Sequence, residues 1–223
     1  MFNLDEFIAK HVTNRETSMF LADIENNKEA LTEKITGKSV LVVGGAGSIG
    51  SSFIKAILPF KPASLVVVDT NENALAELTR DLRSAKGMYV PNDYVPYPMD
   101  FCSPVFEKMF RKRGGFDIVG NFSAHKHVRS EKDIYSVEAL LQNNVLHAKM
   151  LLDLLAEYPP EEYFCVSTDK EIPDKGKVEA LFGELKKAFE KEETTKEEII
   201  VIMKGYLPNF EHIETGKSLD SKM

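Results

Sequence analysis

The sequence predicts an α/β fold: a doubly wound parallel sheet of about five strands, with helical extensions at both termini. Three observations lead to this prediction. Short runs of β-branched and other apolar residues recur between residues 39 and 167, segments with helical spacing separate them, and a glycine cluster directly follows the first run. The chain has 223 residues, of which 43% are hydrophobic and 28% charged, which suits one globular domain with a small appendage.

Composition argues against several classes of protein. The formal net charge of −7 disfavours broad binding to nucleic acid. No apolar run approaches the roughly 18 residues that span a bilayer, and residues 1–6 lack the basic and apolar regions of a signal peptide. The two cysteines, Cys102 and Cys165, are too few for a disulfide framework and indicate a reducing compartment. We therefore expect a cytoplasmic protein with no membrane span and no nucleic-acid partner.

The N-terminal segment, residues 1–36, is predicted to form an amphipathic helical extension that Gly37 ends. Residues 37–170 are assigned to the sheet domain. Its strands are expected at five apolar runs: residues 39–43, 64–69, 93–99, 116–121 and 163–167. The helices between them are expected at residues 49–58, 71–83, from Ser103 and Pro104 onward, and 134–157. Strands that alternate with helices imply parallel pairing and right-handed crossovers.

Residues 171–223 differ in character from the sheet domain. Residues 174–198 hold 14 charged residues out of 25. Their apolar residues fall on one helical face: Val178, Leu181, Phe182, Leu185 and Phe189. Thr195 and Glu198 have the spacing of a capping box that opens a further helix. We therefore predict two C-terminal helices after the sheet domain.

The strongest functional signal lies between the first strand and the helix that follows it. Gly44, Gly47 and Gly50 form a G-x-x-G-x-x-G pattern at this point. Gly44 permits a tight turn, Gly47 lets the backbone approach a pyrophosphate, and Gly50 lets the helix pack closely against the sheet. Together with Ser48 and Ile49 at the helix N-terminus, they are predicted to bind the phosphates of a dinucleotide. The alternative is a flexible loop without a ligand.

Asp69 ends the second predicted strand, 19 residues after Gly50. A carboxylate there would accept hydrogen bonds from the adenosine ribose hydroxyls and would repel a 2′-phosphate, which favours NAD over NADP as the cofactor. The alternative is that Asp69 caps the helix that starts near Asn71, and both roles could coexist. The glycine turn and this carboxylate together predict a Rossmann-like NAD-binding domain.

Four further motifs carry a family resemblance: Met99-Asp100-Phe101, Ser123-Ala124-His125-Lys126-His127-Val128, Asn143-Asn144-Val145 and Ser167-Thr168-Asp169-Lys170. With the glycine turn, they make residues 38–170 resemble the extended short-chain dehydrogenase/reductase family. More narrowly, this segment looks like the nucleotide-sugar 4,6-dehydratases of the UDP-N-acetylglucosamine, polysaccharide-biosynthesis type. The resemblance implies NAD as the cofactor and a UDP-sugar as a candidate substrate.

The resemblance also implies roles around the cofactor. Asp100 would meet the adenine amino group, and Phe101 would pack near the adenine ring. Asn144 would brace the end of the fourth strand from the long helix or form only a structural hydrogen bond. Four residues at the ends of the fourth and fifth strands would lie along the cofactor and near its nicotinamide: Ser123, Ala124, Ser167 and Thr168. His125 and His127 suit a surface or supporting role. No cluster of Cys, His and carboxylate with metal-ligand spacing is visible, so no metal site is expected.

In the resembling enzymes NAD takes hydride from sugar carbon 4, water leaves across carbons 5 and 6, and the hydride returns to carbon 6. By resemblance, Asp169 and Lys170 match the acid and base of the elimination. A Tyr-x-x-x-Lys pair, or Met-x-x-x-Lys in one subgroup, would complete the site, but no Tyr-x-x-x-Lys follows residue 167. The nearest candidate pairs Phe182 with Lys186, and Phe182 cannot transfer a proton. Lys186 is therefore either the cofactor lysine or a solvated lysine on an amphipathic helix.

The family also carries a substantial substrate-binding segment before its C-terminal tail, and about 25 charge-rich residues stand in its place here. We expect residues 171–223 to form helices that replace the substrate domain, in an internally deleted or engineered chain. The favoured interpretation is an NAD-binding module without full catalytic activity. Two alternatives stay open: a minimal but active 4,6-dehydratase, and a non-catalytic scaffold that forms homo-oligomers through its terminal helices.

Overall fold

The computed structural model describes residues 7, 9–13, 20–125, 134–166, 175–191 and 193–206. In this part of the chain the sheet has five strands, all parallel, in the order β3-β2-β1-β4-β5. The strands are β1 (Ser39–Val43), β2 (Ser64–Asp69), β3 (Asp93–Pro98), β4 (Ile118–Asn121) and β5 (Glu162–Cys165). The predicted α/β fold with a parallel sheet of five strands is confirmed.

Helices flank the strands along the whole described chain. They are α1 (Leu21–Asn26), α2 (Lys28–Ile35), α3 (Ser48–Ile57), α4 (Glu72–Ser84), α5 (Pro104–Arg113), α6 (Ile134–Leu141), α7 (Ala148–Glu157), α8 (Lys175–Phe189) and α9 (Lys196–Tyr206). A π-helical segment, Gln142–His147, joins α6 to α7 with helical backbone on both sides, so we call residues 134–157 the long helix. Single-turn π-helical segments of this kind are frequent at functional sites.

Both faces of the sheet are buried. Along the central strand β1, Val40 and Val42 face one core, while Leu41 and Val43 face the other. Helices α3 and α4 close the first core, and α5 and α7 close the second. All four β1 side chains are at most 1% exposed, as expected for a parallel strand that is covered on both faces. Because the strands are parallel, the carboxyl ends of β1, β2 and β4 meet at one edge of the sheet.

Two helix starts that the sequence predicted are formed by the expected side chains. The Ser103 hydroxyl caps α5 by accepting a hydrogen bond from the Phe106 N–H at 3.2 Å. At α9 the capping box is reciprocal: the Glu198 N–H donates to Thr195 Oγ1 at 3.2 Å, and the Thr195 N–H donates to Glu198 Oε2 at 3.4 Å. Each cap satisfies backbone donors that have no partner inside the helix.

The described part of the N-terminal extension is helical, as predicted for residues 1–36, but most of its apolar side chains are not buried. In its described part, α1 and α2 meet at Asn27, and Ile35 is the one apolar side chain that is buried. Phe20, Leu21 and Ile24 are between 39% and 64% exposed. The apolar spacing therefore indicated helix correctly, but it did not indicate burial against the sheet.

A third core lies among the C-terminal helices. Leu181 and Leu185 of α8 pack with Ile199 of α9 and with Leu141 of the long helix. This confirms the predicted apolar face of α8 at its two central leucines. The interpretation of residues 171–223 as a replacement for a substrate domain stays a prediction.

Asp117 joins the start of β1 to the start of β4. Its Oδ2 accepts hydrogen bonds from the Ser39 N–H and from Ser39 Oγ, both at 2.7 Å. These two bonds stabilise the carboxylate and so hold the pKa of Asp117 below its ordinary value. The bond from the Ser39 N–H has the larger effect and that from its hydroxyl the smaller.

We expect acid to remove this contribution to stability. Because the pKa of Asp117 is lower in the folded protein than in the unfolded chain, the stabilisation is complete above the unfolded value of about 3.9 and is lost as the pH falls through the folded value. Urea unfolding measured from about pH 6 to pH 3 should show a smaller loss of stability in Asp117→Asn, which cannot ionise, than in the unchanged chain. Equal losses in the two proteins would contradict this role for Asp117.

Candidate functional site

The glycine turn, residues 44–50, lies where β1 ends and α3 begins. Gly44 has a φ of +70°, and its N–H donates to the Val68 carbonyl at 2.8 Å. A Cβ on Gly44 would lie 2.6 Å from the Ser123 nitrogen. The turn therefore needs glycine at this position for two reasons: the left-handed backbone, and the close approach of the chain that follows β4.

The N-terminus of α3 is open to a ligand. Gly47 occupies the N-cap position and has no side chain that could accept a hydrogen bond from the first turn of the helix. Ser48 and Ile49 follow it and are exposed, and the Ile49 side chain is 52% exposed. Backbone N–H groups at such a terminus, together with the helix dipole, suit a phosphate.

Asp69 connects the end of β2 to the glycine turn. Its Oδ2 accepts a hydrogen bond from the Ala46 N–H at 3.0 Å, and its Oδ1 accepts one from the Asn71 N–H at 2.9 Å. The helix cap that the sequence offered as an alternative role for Asp69 belongs instead to Asn71, whose side chain accepts from the Ala74 N–H at 3.1 Å. Each carboxylate oxygen of Asp69 keeps a further lone pair for a hydroxyl donor.

The long helix holds the chain that follows β4. Asn144 forms two hydrogen bonds with the backbone of His125, one to its carbonyl oxygen and one from its N–H, both at 2.8 Å. This contact is compatible with both roles expected of Asn144, the brace beside a cofactor and the structural hydrogen bond, and the choice between them stays a prediction. Ser123 lies against Gly44, its N–H donates to Asn121 Oδ1 at 3.0 Å, and Ala124 is exposed beside it. The structure thus brings four predicted site residues, Gly44, Ser123, Ala124 and Asn144, to one edge of the sheet.

Asp100 and Phe101 follow β3 at the same end of the sheet. Asp100 is exposed, and its Oδ1 accepts a hydrogen bond from the Cys102 N–H at 2.8 Å. Phe101 is 7% exposed and packs in the second core, edge-on to the His147 ring at 5.8 Å between centroids. Little of the Phe101 ring is left for a ligand, whereas the Asp100 carboxylate is accessible.

Asp100, Cys102 and His147 form a cluster that the sequence analysis missed. Their ligand atoms all lie within 4.8 Å of one another, although the spacing of these residues in the sequence showed no such cluster. The reason is long-range packing: the turn after β3 lies against the π-helical segment, which comes 45 residues later. No local spacing in the sequence encodes that contact.

Of the predicted catalytic residues, Lys186 alone lies in the described part of the chain. Ser167, Thr168, Asp169 and Lys170 lie outside the described residues, as does His127. Lys186 is exposed on α8, and the buried side of this helix, with Leu185, faces the third core. This exposure agrees with the interpretation of Lys186 as a solvated lysine, and the role of cofactor lysine stays a prediction.

Cys102 and Cys165 should differ in reactivity. Burial raises the pKa of the Cys102 thiol to about 12, with a smaller contribution from the Asp100 carboxylate. Cys165, by contrast, is exposed. Because the thiolate is the reactive form, an aromatic disulfide reagent at about pH 8 should modify one thiol quickly and the other slowly. Cys165→Ser should remove the fast phase and Cys102→Ser the slow phase. The opposite assignment would contradict the burial of Cys102.

The chain matches a known protein family. The family described as "Polysaccharide biosynthesis protein" matches residues 40–203. The matched segment begins in β1 and continues into α9, so it includes the glycine turn, Asp69 and the long helix. It also includes α8, which the sequence analysis placed outside the resembling segment.

Two curated relatives share part of this chain. A protein of Methanocaldococcus jannaschii, named as an uncharacterized membrane protein, is 32% identical over 137 residues, which are 60% of this chain and 37% of that protein. The capsular polysaccharide biosynthesis protein CapD of Staphylococcus aureus is 24% identical over 151 residues, which are 67% of this chain and 24% of that protein. The chain thus spans between about a quarter and somewhat over a third of the length of these relatives.

Among solved structures, an epimerase from Methanothermobacter thermautotrophicus resembles the chain with a TM-score of 0.50 and 18% identity. The likeness covers 77% of this chain and 51% of the epimerase, and at this identity it concerns the fold alone. Across the described ranges, the helices are all too short or too polar to cross a membrane.

Proposed function

The chain belongs to the polysaccharide biosynthesis protein family, and from this premise we propose that it is an NAD-binding module that resembles a nucleotide-sugar 4,6-dehydratase and lacks full turnover. The observation that carries the proposal is the open N-terminus of α3 beside the Asp69 carboxylate. These two features offer phosphate donors and ribose acceptors at the carboxyl ends of neighbouring parallel strands, where dinucleotides bind in such sheets.

The residues present fit NAD. A Cβ on Gly50 would clash with the Gly44 carbonyl oxygen and would lie 2.7 Å from Gly45 Cα, so the turn and α3 are packed too closely for any other residue. At Gly47, by contrast, the nearest atom to such a Cβ is 3.4 Å away and belongs to the turn itself. The glycine turn is therefore closely packed against α3 at Gly50 and has more space at Gly47, where the phosphates would bind.

Each group of the dinucleotide has a candidate partner. The backbone N–H groups of Ser48 and Ile49 would hold the pyrophosphate, and Asp69 would accept from the adenosine ribose. The Asp100 carboxylate would accept from the adenine amino group, and Ser123 and Ala124 would line the path toward the nicotinamide. NAD, when bound, would supply a hydride acceptor for oxidation of a sugar hydroxyl.

Catalysis by this chain would rest on Asp169 and Lys170 as acid and base, with Lys186 as the cofactor lysine. The exposure of Lys186 supports the interpretation that the chain lacks full turnover.

One observation favours the second candidate, a scaffold that forms homo-oligomers: the apolar side chains of Phe20, Leu21 and Ile24 are exposed on the N-terminal extension. Light scattering of the full chain at several concentrations separates a monomer from such an oligomer.

Isothermal titration calorimetry with NAD and with NADP tests the proposal. We expect NAD to bind and NADP to bind more weakly, because the Asp69 carboxylate would repel the 2′-phosphate. A parallel incubation with NAD and UDP-N-acetylglucosamine should give no 4-keto-6-deoxy product. No NAD binding at millimolar concentration would refute the module, and product formation that disappears in Lys170→Ala would establish the active enzyme instead.

A further inference from the structure

Asp100, Cys102 and His147 present a carboxylate, a thiol and an imidazole to one point between the turn after β3 and the long helix. Their ligand atoms all lie within 4.8 Å of one another, and Asp100 Oδ1 lies 3.9 Å from His147 Nδ1. The Cys102 Sγ donates to the His147 carbonyl at 3.5 Å, which holds the sulfur against the π-helical segment. Two elements that are far apart in sequence therefore fix three different donors.

A second observation concerns the imidazole itself. The Nδ1 atom of His147 is buried, and the described part of the chain offers it no hydrogen-bond partner. A buried polar atom without a partner costs about 1–3 kcal/mol, so proteins rarely leave one. The nearest acidic oxygen, from Asp100, is too distant for a hydrogen bond but lies at a separation that one ion can bridge.

We propose that Asp100, Cys102 and His147 bind a zinc ion through one carboxylate oxygen, Sγ and Nδ1, with water as the fourth ligand. Zinc bonds of about 2.0–2.3 Å place tetrahedral ligands roughly 3.5 Å apart, so the side chains close by about 1 Å when the ion binds. The Cys102 S–H bond breaks, its proton goes to solvent, and the sulfur bonds the metal as thiolate.

The donor set decides the class of cation. Magnesium and calcium take oxygen ligands, whereas a thiolate with an imidazole favours zinc and chemically similar transition metals. Three protein ligands with one open position are also the arrangement of zinc sites that keep a bound water. The ion has a route of entry, because the Asp100 carboxylate is exposed to solvent. Cys102 also lines an open groove of about 210 Å³ between α5 and α7.

Cobalt(II) is the probe that tests the site, since its bond to a thiolate gives an ultraviolet charge-transfer band. The full chain, reduced and without a polyhistidine tag, should take up one equivalent of cobalt with this band, and zinc but not magnesium should displace it. Cys102→Ser should abolish the band. Cys165→Ser is the matched control, because Cys165 is the second cysteine of the chain and is exposed, and this variant should keep the band unchanged.

Two further variants test the other ligands. His147→Ala and Asp100→Asn should each weaken cobalt binding by at least about tenfold, while circular dichroism shows that the variants remain folded. The proposal is overturned if the folded, unchanged chain gives no charge-transfer band, or if Cys102→Ser keeps the band. It is also overturned if both further variants bind cobalt as tightly as the unchanged chain.

One consequence rests on the proposed function. Asp100 is also the expected partner of the adenine amino group, so zinc and NAD would compete for one carboxylate. Titration of NAD into the zinc-loaded chain should show weaker binding than titration into the metal-free chain, and Cys102→Ser should lose this effect of zinc. If the metal-free chain does not bind NAD, the proposed function fails and the zinc site stands on the cobalt band. Equal NAD affinity with and without bound zinc would place adenine away from Asp100.

Discussion

Gly50→Ala is expected to destabilise the folded chain by about 3 kcal/mol. The added methyl would meet the carbonyl oxygen of Gly44 and would lie 2.7 Å from Gly45 Cα. Both contacts are with backbone, which cannot rotate away as a flexible side chain could. The glycine turn would have to shift relative to α3, so we also expect the variant to lose most of its affinity for NAD.

Gly183→Ala is the matched control for this substitution. Gly183 lies inside α8, and a Cβ there would meet nothing within 4 Å. The same chemical change should therefore stabilise the chain, by roughly 0.5–1 kcal/mol, because alanine loses less backbone entropy than glycine in a helix. Urea unfolding of both variants measures the difference. A Gly50→Ala protein as stable as the unchanged chain would show that α3 does not pack against the turn as described.

Asp69→Ala is expected to weaken NAD binding by roughly 1–3 kcal/mol, which is about 5- to 150-fold in the dissociation constant. Two effects act together. The ribose hydroxyls would lose a charged acceptor, and the Ala46 N–H in the glycine turn would lose the oxygen that now holds it at 3.0 Å. Calorimetry with NAD measures the affinity.

Asn71→Ala separates the role of the carboxylate from the stability of α4. This variant removes the helix cap, because the Asn71 side chain accepts from the Ala74 N–H, but it leaves the Asp69 carboxylate and its bond to Ala46 in place. It should cost about 1 kcal/mol of stability and leave NAD affinity unchanged. Equal NAD affinity in Asp69→Ala and the unchanged chain would mean that Asp69 only supports the turn.

The sheet and its helix starts were predictable because their signals are local. The apolar runs gave β1 and β2 with their observed bounds, and Ser103 and Thr195 cap the helices expected of them. A role can still be assigned to a residue two positions from the one that fills it. The cap of α4 was an alternative role for Asp69, whereas Asn71 is an equally good capping residue and lies directly before the helix.

The candidate site was predictable in part. The glycine turn could be located from its spacing between a strand and a helix, and the contact of Asn144 was expected from the family resemblance. By contrast, the apolar spacing of Phe20 and Ile24 did not reveal that these side chains are exposed. Periodicity states which residues share a face, but it does not state whether another element covers that face.

By itself, the sequence determined that this chain folds as a parallel α/β sheet with a glycine turn after its first strand, because periodicity, capping and glycine spacing act over a few residues. Only the tertiary structure decided which side chains meet around that turn. The Asp69–Ala46 bond joins residues 23 apart, and the Cys102–His147 contact joins residues 45 apart. Such contacts depend on how whole elements pack across the sheet, and no short pattern in the chain specifies that packing.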